Sequence, residues 1–123
     1  MFAPGDVIGF WSEEAGKRKF HLCISLDGHF VFLSSPKNKV YPTDLPVSCS
    51  EFPFLKPTPS GLTIISCVAV MRKSDTELRR CDAKLKGRVT SALMRRLVEF
   101  VLTSPVLSEE DRGKFLDAAG DWA

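Results

Sequence analysis

The run from Lys19 to Lys37, K-F-H-L-C-I-S-L-D-G-H-F-V-F-L-S-S-P-K, constrains the fold more than any other part of the chain. Two alternating segments meet at Asp27-Gly28, and Asp-Gly between alternating apolar residues is a strong β-hairpin signal. A two-residue type I′ turn there sets Leu26 opposite His29, Ser25 opposite Phe30, Cys23 opposite Phe32 and His21 opposite Ser34. Side chains alternate between the faces of a strand. One face therefore carries Phe20, Leu22, Ile24, Val31 and Leu33 and reads as core. The other carries Lys19, His21, Cys23, Ser25, Phe30, Phe32 and Ser34. That mixture of a cation, an imidazole, hydroxyls and two aromatics is unusual for a plain solvent face.

The 123 residues correspond to a single domain, 1–123. Hydrophobic residues make up 44% and charged residues 26%, the balance of an ordinary globular protein with room for a real core. No apolar run approaches the ~18 residues of a membrane span, so no membrane partner is expected. The opening M-F-A-P-G-D lacks the basic and apolar regions of a signal peptide, which makes a cytoplasmic location the expectation. Cys23, Cys49, Cys67 and Cys81 are scattered without a C-x-x-C pair. They read as free thiols, with no metal site and no cofactor expected.

Pro4-Gly5-Asp6 leads into a short strand, Val7 to Trp11, whose apolar residues predict burial on both sides or at a subunit contact. Ser12 to Arg18 is polar and reads as an exposed connection. Between Pro36 and Pro59 six prolines exclude a long helix or a central strand. Lys39–Tyr41 and Pro46–Cys49 read there as at most short edge pieces, and Phe52-Pro53-Phe54-Leu55 as an apolar plug. Leu62 to Met71 has the β-branched content of one buried strand. Several short strands separated by turns argue a small, strongly bent sheet or barrel over 4–72.

The periodicity then becomes helical, over 74–120. Ser74-Asp75-Thr76-Glu77 is a capping box that starts a helix of about two turns. Lys86-Gly87-Arg88 interrupts. Thr90 caps a helix carrying Leu93, Leu97, Phe100 and Val101 on one face, ended by Ser104-Pro105. Ser108 opens a last helix that turns Phe115, Leu116 and Ala119 inward. Strands first and helices last make the class α+β. Net charge is only +2, but cations crowd the stretch from Arg72 to Arg96, as on a nucleic-acid-binding face or on solvated helices.

Gly5-Asp6-Val7 opening the first strand, a polar loop, and a hairpin ending in hydroxyl residues resemble the MazF/PemK/Kid-type toxins. Phe32-Leu33-Ser34-Ser35-Pro36-Lys37 is also similar to the L-S-S-P-K run of type III toxin ribonucleases. Phe54-Leu55-Lys56, the Ile64-Ile65-Ser66-Cys67 strand, Thr76-Glu77-Leu78 and Lys86-Gly87-Arg88 are similar to PemK/MazF-like proteins. The resemblance implies an SH3-like antiparallel barrel followed by C-terminal helices. It implies a metal-independent endoribonuclease acting on single-stranded RNA, often a homodimer, and restrained by an antitoxin protein. In MazF-type members an arginine opens the second strand and a hydroxyl residue ends the third. Lys19 or His21 stands at the first place here, Ser34 or Ser35 at the second, and the R-P-x-x-V-L-S run is absent.

The residues permit that chemistry. A histidine can move protons, while cations and hydroxyl donors stabilise a crowded phosphate. Lys19, His21, Ser34 and Ser35 are therefore the candidate catalytic group. Phe30 and Phe32 are candidate stacking platforms for unpaired bases, and Lys17, Arg18 and Lys37 candidate phosphate contacts. The plain alternatives are a structural strand histidine, a serine turn before Pro36, and phenylalanines that belong to an inner layer or a dimer contact. A non-catalytic SH3-like module, binding protein or nucleic acid through Phe30, Phe32 and Trp11, is the competing function.

Overall fold

The hairpin is the middle of a larger antiparallel sheet. The computed structural model describes residues 1–12, 16–36 and 39–120. In chain order it has β1 (Asp6–Ser12), β2 (Lys17–Cys23), β3 (His29–Ser34), β4 (Leu45–Ser48), β5 (Leu62–Ile65), β6 (Met71–Arg72), α1 (Asp75–Arg80), β7 (Lys84–Arg88), α2 (Ser91–Thr103) and α3 (Glu109–Ala118). The seven-stranded sheet runs β4-β5-β3-β2-β1-β7, with β6 also on β3. Among the described residues β4 and β7 end this path and do not pair with each other, so the sheet is not closed into a barrel. The class is α+β, as the order of periodicities predicts.

The hairpin forms, but its register differs from the one a two-residue turn gives. Cys23 lies opposite Phe30, Leu22 opposite Val31, His21 opposite Phe32 and Phe20 opposite Leu33. The cause is Ser25. Its hydroxyl accepts the amide protons of Asp27 and His29 and pairs with His29 Nδ1 at 2.7 Å. Such local bonds compete with ladder pairing. The strands therefore close at Ile24 N–H donating to His29 O (2.9 Å), leaving Ser25–Gly28 as the loop. The change is two residues, so each side chain keeps its face while its partner changes.

Both faces are covered. Val7, Leu22, Ile24, Val31 and Leu33 join the larger core with residues of β4, β5, α2 and α3. On the other side Ile8, Phe10, Cys23, Phe30 and Leu78 form a second core, closed by Phe2, Cys81 and Ala83. The first strand is thus buried on both sides as far as Phe10. Trp11, at its end, is 55% exposed in the single chain.

Two other expectations are corrected. The segment 62–71 is not one strand: three steps along β3, Phe30 to Leu33, match six along its partner, Ile65 to Met71. The surplus residues leave the ladder and carry Cys67 into the larger core. Lys86-Gly87-Arg88 is no interruption but part of β7, antiparallel to β1. Its anchors are remote in sequence. Arg88 Nη1 donates to Asp6 Oδ1 (2.7 Å) and Nη2 to Pro4 O (3.1 Å), while a Cβ on Gly87 would run into the Phe54 ring. In the proline-rich segment, Leu45–Ser48 is an end strand and Lys39–Tyr41 is not a strand. Phe52 is a buried plug.

The helices begin where their caps predict. Ser74 and Glu77 form the reciprocal box, Thr90 accepts from Leu93 N–H, and Ser108 accepts from Asp111 N–H. Arg112 then ties α3 to the end of α2. Its guanidinium donates to the carbonyls of Val101, Leu102, Ser104 and Leu107 at 2.7–3.1 Å. These include acceptors that a helix C-terminus leaves without intrahelical partners. Arg112→Ala is expected to lower stability by about 1.5–3 kcal/mol. Arg112→Lys, which lacks the planar fork, should recover little of it. Urea unfolding of the three proteins checks this.

Candidate functional site

The mixed face of the hairpin contains a histidine in an apolar sandwich. His21 is 1% exposed. Its ring stacks on Phe10 (centroids 4.6 Å apart, 18° between planes) and lies 4.6 Å from Phe32 on a tilt of 47°. Neither ring nitrogen has a hydrogen-bond partner. Burial, with Lys73 and then Lys19 nearby, lowers its pKa from 6.5 to about 4, so the imidazole is neutral at pH 7. Lys73 Nζ also lies 5.2 Å from the centre of the Phe10 ring.

Of the candidate catalytic residues, His21 lies beneath this aromatic layer and faces Phe32, not Ser34. Lys19 is half-buried on the same strand, and Ser34 and Ser35 are exposed. The last paired step of β2 and β3 is Phe20 opposite Leu33. One step further, the register brings Lys19 across from Ser34. The observed register thus removes the histidine–serine pairing, since His21 is opposite Phe32.

Among the candidate RNA contacts, Lys17 and Arg18 are exposed at the start of β2. Phe30 is fully buried in the second core and offers no face to a base. Phe32 is half-buried against His21. Lys37 lies outside the described residues.

Ser34 and Ser35 also line a cavity of about 240 Å³. Phe20, Leu33, Phe52 and Leu55 give it apolar walls, and Thr58, Thr63 and Lys56 add polar groups. Phe20 had read simply as core; its second role is invisible in the hairpin alone, because the opposing wall comes from the proline-rich segment. Another groove, of about 470 Å³, runs beside exposed Trp11 and mixes Lys73 and Arg80 with Glu77 and Asp82.

The cysteines are free. Burial pushes the Cys23 thiol up to about 11 and that of Cys67 up to about 12. Neither is a thiolate nucleophile near neutral pH. Among the described residues no three His, Cys, Asp or Glu side chains gather as metal ligands, and no helix is long and apolar enough to cross a membrane. The sequence matches no protein-family model, and no match is found among curated proteins.

His21 gives stability a definite pH dependence. Its folded pKa lies below its unfolded value, so between 6.5 and about 4 the unfolded chain binds the extra proton. Stability is fully present above pH 6.5 and is lost as pH falls toward 4, by about 3 kcal/mol from this group. His21→Phe removes two unpartnered nitrogens from an aromatic layer and should abolish that component. Urea unfolding at pH 4 to 7 should show wild type losing about 3 kcal/mol relative to the variant. Parallel curves would show that His21 is not buried neutral.

Proposed function

We propose that the chain is a PemK/MazF-like protein with an SH3-like barrel-type sheet, acting as a metal-independent endoribonuclease on single-stranded RNA. The observation that carries this reading is the β2–β3 register, which continued one step past Phe20–Leu33 sets Lys19 across from Ser34, with Lys17 and Arg18 exposed beside them. A cation opening the second strand and a hydroxyl ending the third is the arrangement the family resemblance implies. The resemblance extends the proposal to an antitoxin partner, a homodimer and a cytoplasmic setting.

In the proposed reaction the RNA 2′-oxygen attacks the adjacent phosphorus and the bond to the 5′-oxygen breaks. The products are a 2′,3′-cyclic phosphate and a 5′-hydroxyl. Lys19 and the Ser34–Ser35 hydroxyls supply the electrostatic part by binding phosphate oxygens as charge builds on them. The buried His21 contacts no substrate; the 2′-proton passes to water and water protonates the leaving oxygen. His21 instead lies buried between Phe10 and Phe32. Its burial also favours the second reading, a non-catalytic module of the same fold that uses the cationic strand end only to bind.

Purified protein incubated with single-stranded RNA in EDTA separates the two readings. Cleavage with cyclic phosphate ends is expected, slowed about 10²-fold or more by Lys19→Ala and largely kept by Lys19→Arg. RNA that is bound but stays intact overturns the ribonuclease in favour of the module. Binding should also weaken with added salt, with a shallower slope after Lys17→Ala and Arg18→Ala.

A further inference from the structure

We infer that the cavity beside Ser34 and Ser35 receives one unpaired nucleobase of the bound RNA. This rests on the single-strand RNA reading and names the subsite it would use. The cavity, at about 240 Å³, falls below the ~300 Å³ at which pockets for drug-sized ligands begin. Its occupant is therefore small, the size of a single base. Phe20 forms an apolar wall suited to a planar ring. The Phe20 ring is itself held close over Gly9, where a Cβ would come within 3.0 Å of its Cε1.

The polar part of the lining fits a base edge. Thr63 brings a hydroxyl able to donate and to accept, beside the Ser34 and Ser35 hydroxyls that face the phosphate in the proposed reaction. Among the described residues Lys56 is the cation of the lining and no carboxylate lines the cavity, so the phosphate attached to the base is attracted. The wall is preorganised. Gly61 N–H donates to Thr58 O (3.1 Å), Cys49 N–H to Gly61 O (2.8 Å), and the Thr58 hydroxyl to Leu62 O (2.7 Å). The Trp11 groove fits less well, because Glu77 and Asp82 line it and oppose a polyanion.

A thiol reports on the cavity directly. Cys49 is half-buried and lines it, while half-buried Cys81 lines the Trp11 groove. The intact protein is alkylated with iodoacetamide in EDTA, with and without a mixed-sequence 2′-O-methyl oligonucleotide, which lacks the attacking hydroxyl. Binding is followed separately by fluorescence anisotropy. Saturating oligonucleotide should slow labelling of Cys49 at least tenfold, leave Cys81 unchanged, and lose this effect when the strand is abasic. Binding without protection of Cys49, protection of Cys81 instead, or equal protection by the abasic strand overturns the subsite and leaves RNA binding standing. Absence of any binding in the anisotropy measurement overturns both.

Discussion

The hydroxyl of Ser25 sets the register on which the rest of the sheet depends. By accepting two loop amides it fixes a four-residue connection, and the pairing of β2 with β3 follows from that loop. Gly28, at φ +83°, completes it. Its carbonyl accepts from Lys73 N–H (2.9 Å), and a Cβ there would meet Lys73 O at 2.6 Å. Only glycine allows that approach without displacing backbone. The loop is thereby joined to the segment entering α1, which places Lys73 beside Phe10 and α1 over the second face. One side-chain hydroxyl thus links the hairpin partners to the element that closes the smaller core.

That closure explains why the middle of the mixed face is not a binding surface. Leu78 of α1 and Phe2 seal Phe30 and Cys23 from solvent, and Phe10 and Phe32 enclose His21. A neutral imidazole carries one donor and one acceptor, and leaving a buried polar group unpaired costs about 1–3 kcal/mol. Aromatic stacking offsets about 0.5–1.5 kcal/mol per pair. The second core is therefore held by its phenylalanines and aliphatic residues, with His21 as a tolerated polar guest. Groups able to meet a ligand are displaced to the strand ends, where Lys17, Arg18, Ser34 and Ser35 remain exposed.

Features governed by neighbouring residues were legible in the sequence. Ser74 with Glu77, Thr90 and Ser108 begin helices through bonds spanning three residues, and the faces of the hairpin follow from alternation alone. Features settled at long range were not. β7 reads as a charged connection because its anchors, Asp6 and Phe54, lie far away in the chain. The break between β5 and β6 is hidden in a continuous apolar run, since nothing local distinguishes a residue that pairs from one that turns into the core. Of the candidate site, the cationic and hydroxyl strand ends were legible, and the register that sets His21 against Phe32 was not. The cavity was missed because it joins Phe20 and Leu33 to a proline-rich segment that reads as connection.

Local charge, more than the net +2, distinguishes the ends of this molecule. At β7 the exposed cations Lys84 and Lys86 lie along an end strand. Pairing two copies there would crowd like charges together, a common protection of an open edge. Lys84 is partly neutralised by Asp82 at 3.1 Å, and Arg88 is engaged by Asp6. These cations serve the edge and its attachment. At the start of β2, Lys17 and Arg18 are exposed and Lys19 half-buried, and Lys56 lines the cavity beside Ser34 and Ser35. The cations between Arg72 and Arg96 are more numerous, but Lys84 and Arg88 among them are each held by a carboxylate.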